Sequence, residues 1–415
     1  MTEDVAIAAA AAAREAYGRR LSWLAWQWRD LEAAEDALAT ALLAALEHWP
    51  KTGIPASPEA WLMTVAKRAL LQVARHRRLT SDPAVTAMLD DAFAHDGPDA
   101  PLLQPIPDHR LQLMFVCAHP ALDASVHAAL MLQTVLGLDA RQIASALLLP
   151  PATLAQRLVR AKKRIRDAGL RFEPPEGPEL PARLQAVLEA IYAAFSLGWD
   201  AVAPDDHTPS DLIDEALYLA KLVVALQPDS AEAMGLLALM LLCESRRGAR
   251  FGRDGAFVPL HAQDCARWDR AMIVDANQWL WRASALRQPG PFQLEAAIQA
   301  AHAQRAFTGT VPWAGIVTLY RHLLRIAPTV GAQVGHAVAT GEAGDPVQGL
   351  ALLDRIDAAS IDRYQPYWVA RAHLLALTGE AGASRVAATR AIGLTLQPAV
   401  RAYLQGHYHA ADPAP

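Results

Sequence analysis

A chain of 415 residues is too long for one ordinary hydrophobic core, so two or three domains are expected. Apolar residues make up 53% and aromatics only 7%, with alanine and leucine dominant, which is the composition of a helix-rich soluble protein. The formal net charge of -5 excludes global basicity as the source of any nucleic-acid contact, which would have to come from a local basic patch.

The N-terminus, Met1-Thr2-Glu3-Asp4, places acids where a secretory signal carries positive charge, and no apolar run is long enough to span a bilayer. Cys117, Cys243 and Cys265 are far apart and lack the paired spacing of a zinc site or a disulfide framework, which fits a reducing cytoplasm. No membrane partner is expected.

Residues 4–49 predict two helices, with Trp23, Trp26, Leu31, Leu38, Leu42 and Leu46 at approximately helical intervals. Pro50 to Pro58 interrupts them, and Ser57-Pro58-Glu59 then opens a helix that runs to about Leu79. Between Glu59 and Asp82 there is no acid, while Lys67, Arg68, Arg75, Arg77 and Arg78 are basic. Residues 81–107, rich in proline and aspartate, read as an interdomain linker. A helical unit follows from Asp108 to Gly169, closed by Gly169 as a C-cap and by Pro174-Pro175-Glu176-Gly177-Pro178. Everything after Pro181 reads as helices separated by short turns. Its clearest unit, Pro366 to Leu394, carries Trp368, Ala372, Leu375, Gly379, Ala383, Ala387 and Ala391 at positions where two antiparallel helices touch, as in a tetratricopeptide repeat. Asp254-Gly255 within 250–259 is a turn signal for a small hairpin or loop.

The sharpest motif runs from Asp139 to Ala168. Ile143, Leu147, Leu154 and Leu158 can close a small core between two short helices, and Pro151 fits the first position of the second. The outward face of that second helix offers Thr153, Gln156, Arg157 and Arg160 to base edges and phosphates in a major groove. Lys162, Lys163, Arg164 and Arg166 beyond them suit backbone phosphates. The pattern is that of a DNA-binding helix-turn-helix; the alternative is a solvated basic helix.

Other tempting residues carry less. Cys117 and His119 lack further ligands at metal spacing, which favours a half-buried structural role. No Gly-x-Ser-x-Gly elbow or Walker A sequence occurs, so neither an enzyme nor a cofactor is expected. Asp264, Arg267, Trp268, Asp269 and Arg270 suggest either a buried ion-pair network or a solvated face around Trp268.

DHRLQLMFVCAHPAL (108–122) followed by TLAQRLVRAKKRIRDAG (153–169) resembles region four of extracytoplasmic-function sigma factors of the sigma-70 family, closest to the group with a tetratricopeptide-like C-terminal extension. LEAAEDALATALLAALEHWP (31–50) with SPEAWLMTVAKRAL (57–70) resembles region two of that group. The resemblance implies that region four reads the −35 element and that region two binds core RNA polymerase and opens the −10 element. It places Glu35, Asp36 and Leu38 on the polymerase-contacting helix, and Trp61, Lys67, Arg68, Arg75, Arg77 and Arg78 on the promoter-melting helix. The chain departs from the family pattern at Ala39 and Thr40, at Lys67, Leu71 and Ala74, and at Leu148, where a turn glycine is common.

The expected protein is therefore all-α. It has a region-two-like domain at 1–80, the 81–107 linker, a region-four-like helix-turn-helix domain at 108–170, and a helical-repeat extension at 181–415. The implied partners are core RNA polymerase, promoter DNA and a regulatory protein on the extension. A protein-interaction scaffold with a degenerate sigma module is the alternative, supported by Lys67, Leu71 and Ala74.

Overall fold

The computed structural model describes residues 17–78, 109–146, 149–170, 175, 179–200 and 207–409. Outside the described residues lie the predicted linker at 81–107, Leu147 and Leu148 of the predicted turn, Pro174 and 176–178, and the side chains of Arg75, Arg77 and Arg78. The protein is all-α: among the described residues there is no strand, only an isolated bridge between Phe251 and Phe257. No described helix is long and apolar enough to cross a membrane. The chain divides into two compact units, 1–198 and 199–415.

In the first unit, α1 (Tyr17–Trp28) and α2 (Leu31–Thr52) are separated by Arg29, which takes a left-handed φ of 51°. Asp30 then caps α2, its carboxylate accepting the Ala33 N–H at 3.0 Å. One face of α2 (Leu31, Ala34, Leu38, Ala41, Ala45 and Trp49) recurs every three or four residues and is buried. The interruption expected at Pro50 begins later. The helix runs on to Thr52 and closes at Gly53, whose φ is 87° and whose N–H reaches the Trp49 carbonyl at 3.0 Å. A proline in the last turn forfeits one N–H bond without ending the helix before it. Helix α3 (Pro58–Arg78) packs back along α2, burying Leu62, Met63, Ala66 and Leu70.

Helices α4 (Arg110–Cys117), α5 (Ala124–Thr134), α6 (Ala140–Ala146) and α7 (Pro151–Asp167) follow. They join the same unit as α1 to α3. Helix α1 crosses α5 so closely that a Cβ on Gly18 would lie 1.7 Å from the Val135 carbonyl oxygen, and Trp26 stacks on His109 with centroids 4.3 Å apart. Helix α2 packs against α7. The segments on either side of 81–107 thus share one core, and α8 (Leu180–Asp200) follows them.

The second unit contains α9 (His207–Leu226), α10 (Ala231–Glu244), α11 (Arg270–Ala285) and α12 (Pro291–Ala303). Helix α10 is apolar all round and buried throughout its middle, the signature of a central helix, and it packs on α9, α11 and α12. Its Glu232 accepts the N–H groups of Phe292 and Gln293 at 3.1 and 3.0 Å, capping α12 from outside. The array continues through α13 (Arg305–Thr308), α14 (Trp313–Ile326), α15 (Val330–Glu342), α16 (Pro346–Leu353), α17 (Ala358–Ile361), α18 (Gln365–Leu377), α19 (Ala381–Leu394) and α20 (Pro398–His409). The helix pair expected at 366–394 is α18 and α19, turned at Gly379 (φ 84°) and joined through buried Ala372, Ala387 and Ala388. The turn expected at Asp254-Gly255 is also present: Gly252 N–H meets the Ala256 carbonyl at 2.8 Å, and Phe257 packs edge-on against Tyr403 of α20.

Among the described residues, the cluster at 264–270 does not form an ion-pair network. Asp264 and Asp269 cap helix starts, accepting the Ala266 and Met272 N–H groups at 2.9 Å. Arg267 donates to the Phe251 and Gly248 carbonyls and Arg270 to that of Ala306, while buried Trp268 donates to Gln263 at 3.2 Å. Loop carbonyls and helix N-termini supply the counter-dipoles that ion partners would otherwise provide.

Candidate nucleic-acid interface

Helix α6 starts on a reciprocal cap. The Asp139 carboxylate accepts the Arg141 and Gln142 N–H groups, each at 2.8 Å, and the Gln142 side chain accepts the Asp139 N–H at 3.0 Å. The Leu149 N–H reaches back to the Ala144 carbonyl at 2.9 Å, Pro150 is extended, and Pro151 opens α7. From there Leu154, Leu158, Ala161 and Ile165 form one buried stripe, with Ile143 of α6 also buried. Gly169 (φ 57°) ends the helix, and the Leu170 N–H reaches the Ile165 carbonyl.

Burying that stripe turns the opposite face outward. Thr153, Gln156, Arg157, Arg160, Lys163 and Arg164 are exposed, and the four cations among them form no ion pair among the described residues. Such a face, amides and hydroxyls first and cations after, can donate to base edges and phosphates.

Lys162 behaves differently. Its ammonium bonds both Glu35 carboxylate oxygens, at 2.8 and 2.7 Å, with the two side chains only 13% and 18% exposed. One turn on, Arg166 pairs with Glu32. Burial pushes the Glu35 carboxyl above its ordinary range despite the nearby Lys162 charge. The surroundings are correspondingly dry: the Cys117 thiol, fully buried and 3.7 Å from the Thr134 hydroxyl, is pushed up to about 12. Glu32 and Arg166 were not singled out as partners by sequence. The available signal was matched spacing, acids three apart on α2 facing cations four apart on α7.

On α2, Asp36 is exposed beside a 210 Å³ cleft that Asp30, Glu32 and Arg166 also line. Leu38, placed by resemblance on a polymerase-contacting surface, is 1% exposed; its side chain belongs to the core between helices and is closed to a partner. On α3, Trp61 packs edge-on against Trp49 at 5.5 Å, and Lys67 lies 4.7 Å above the Trp23 ring. Arg68 is exposed. Cys117 and His119 serve structure, the His119 ring accepting the Ala121 N–H at 3.0 Å, and no cluster of metal-ligating residues occurs among the described residues.

Residues 14–80 match the family model described as sigma-70 region 2, and residues 183–284 match one described as a family of unknown function (DUF6596). The region 2 match supports a sigma-70 family factor. The chain is 38% identical over 394 residues to the uncharacterized protein R00370 of Rhizobium meliloti (strain 1021), covering 93% of this chain and 92% of that one. It belongs to the same family as that rhizobial protein. No solved structure matches it.

Proposed function

We propose that the protein is an RNA polymerase sigma factor of the extracytoplasmic-function group carrying a tetratricopeptide-like C-terminal extension. In this reading α4 to α7 act as region four, with Thr153, Gln156, Arg157 and Arg160 reading the −35 element in the major groove and Lys163 and Arg164 binding phosphates. Helices α2 and α3 act as region two. Asp36 faces core polymerase, and Trp61, Lys67 and Arg68, with Arg75, Arg77 and Arg78 beyond them, hold the −10 strand. The extension regulates activity.

The observation that carries this reading is the exposed, unpaired polar and basic face of α7, standing in one compact unit with a sigma-70 region 2 domain. Glu35 and Lys162 cannot serve polymerase and DNA while they hold each other, so the described arrangement is the resting form and the pair parts on engagement.

Gel filtration of the full chain with purified core polymerase, followed by footprinting on promoter fragments, tests the assignment. Co-elution and protection spanning both promoter elements are expected. A chain that never associates with core polymerase, even at low salt, would leave only the scaffold reading. Deleting the residues after Pro181 tests the role of the extension: output and signal response that stay unchanged would remove it as a regulator.

A further inference from the structure

The second unit holds a cavity of about 510 Å³ where the C-terminal end of α9 meets α10 and α11. Its apolar lining comes from Val224, Met234 and Leu237, with Trp279 and Trp281 on the α11 side. Trp281 is 72% exposed, an unusual position for a tryptophan in a helix whose Ile273, Ala276 and Ala283 are fully buried. Two cations line the same cavity. Arg282 is held over the Trp279 ring at 4.8 Å, and Lys221 has neither an ion pair nor a hydrogen bond among the described residues. Among the described residues, none that lines the cavity is acidic. Trp281 and Arg282 also border a shallower cavity of about 430 Å³, to which Asn277 and Gln278 add side-chain amides.

These features define a ligand by its chemistry. The volume falls within the range of sites for small organic molecules, roughly 300–1,000 Å³. An open indole favours a flat ring system that covers it, and two cations with no acid to neutralise them favour a negative charge on that ring. We propose that this cavity binds a small aromatic organic anion, a flat ring system carrying one carboxylate or sulfonate, with the ring on Trp281 and the anionic group between Lys221 and Arg282. Nothing in this assignment depends on the sigma-factor reading, and it would give the C-terminal unit a small-molecule input.

The test uses the full chain and two dyes of similar ring area, 1-anilinonaphthalene-8-sulfonate and its uncharged relative N-phenyl-1-naphthylamine. The sulfonate should saturate at one site per chain, quench tryptophan emission and weaken as salt rises. Trp281→Ala should weaken both dyes at least about tenfold; Lys221→Met and Arg282→Met should each weaken the sulfonate about tenfold while leaving the uncharged dye unchanged. Leu396→Ser, at a 91% exposed apolar position elsewhere on the unit, should alter neither dye. Circular dichroism and melting of each variant confirm that the fold is retained, as the exposure of Trp281 predicts. Equal affinity for the two dyes, or a sulfonate signal indifferent to Lys221 and Trp281, would overturn the assignment; sulfonate binding that needs Trp281 but neither cation would overturn it in favour of an apolar protein-docking face.

Discussion

Along α7, Arg157 and Arg160 stand in solvent, whereas Lys162 and Arg166, less than two turns later, are held by Glu35 and Glu32 of α2. One predominantly basic helix therefore presents two surfaces, and the neighbouring helix decides which is which. A basic run is a DNA footprint only where no acid of the same fold has already taken it. In this molecule the division is one of helix face: Arg157, Arg160, Lys163 and Arg164 are open, while Lys162 and Arg166 are turned to α2.

That contrast can be broken most forcefully at Lys162. Lys162→Ala strands a largely buried carboxyl and should cost about 3 kcal/mol in urea unfolding, whereas the double replacement Glu35→Leu with Lys162→Met should recover most of the loss. Equal costs for the single and double variants would show that the pair holds nothing together. At the exposed end, Arg157→Ala and Arg160→Ala should leave melting unchanged and each reduce discrimination among −35 sequences by roughly 1–3 kcal/mol if it makes a bidentate base contact, as competition binding would show. Lys163→Ala should weaken every sequence alike and lower the salt slope by about 1. Identical behaviour from the two classes would erase the distinction between reading and gripping. A smaller effect is expected at Glu32→Gln, which removes a half-exposed pair: under about 1 kcal/mol in stability, with tighter non-specific DNA binding at low salt as Arg166 is released.

The smallest expected change is in pH dependence. Because burial raises the Glu35 carboxyl in the folded chain, the folded chain holds that proton more readily than the unfolded chain does. That contribution is complete below the unfolded value and is lost as pH rises through the folded one. Acidification from neutrality should therefore strengthen the fold through this residue, opposite to an ordinary exposed ion pair. Urea midpoints of the wild type should rise on mild acidification while those of Glu35→Gln follow a flatter profile; a wild-type profile that falls on mild acidification while the variant's does not would refute the sign.

Much of this was legible in the sequence where the signal is local. The stripe of Leu154, Leu158 and Ile165 follows from helical periodicity, Pro151 from its fixed φ, and the Gly169 and Gly379 helix ends from their tolerance of left-handed backbone. Burial of Leu38 was also legible, since it shares a face with Leu31, Ala34, Ala41 and Ala45, but resemblance assigned the position by alignment and not by face. The dock between Glu35 and Lys162 was not, because 127 residues separate them and sequence records their opposite charges without their proximity. The 264–270 cluster misled for a related reason: aspartates and arginines alternating in a line look like mutual partners, yet each meets a backbone group nearer to hand.

The most direct test is run-off transcription with purified core polymerase and the full chain across a genomic fragment library. Discrete start sites sharing two upstream elements are predicted, with usage redistributed among −35 sequences by Arg157→Ala. Transcripts no different from those of core polymerase alone would contradict the sigma assignment.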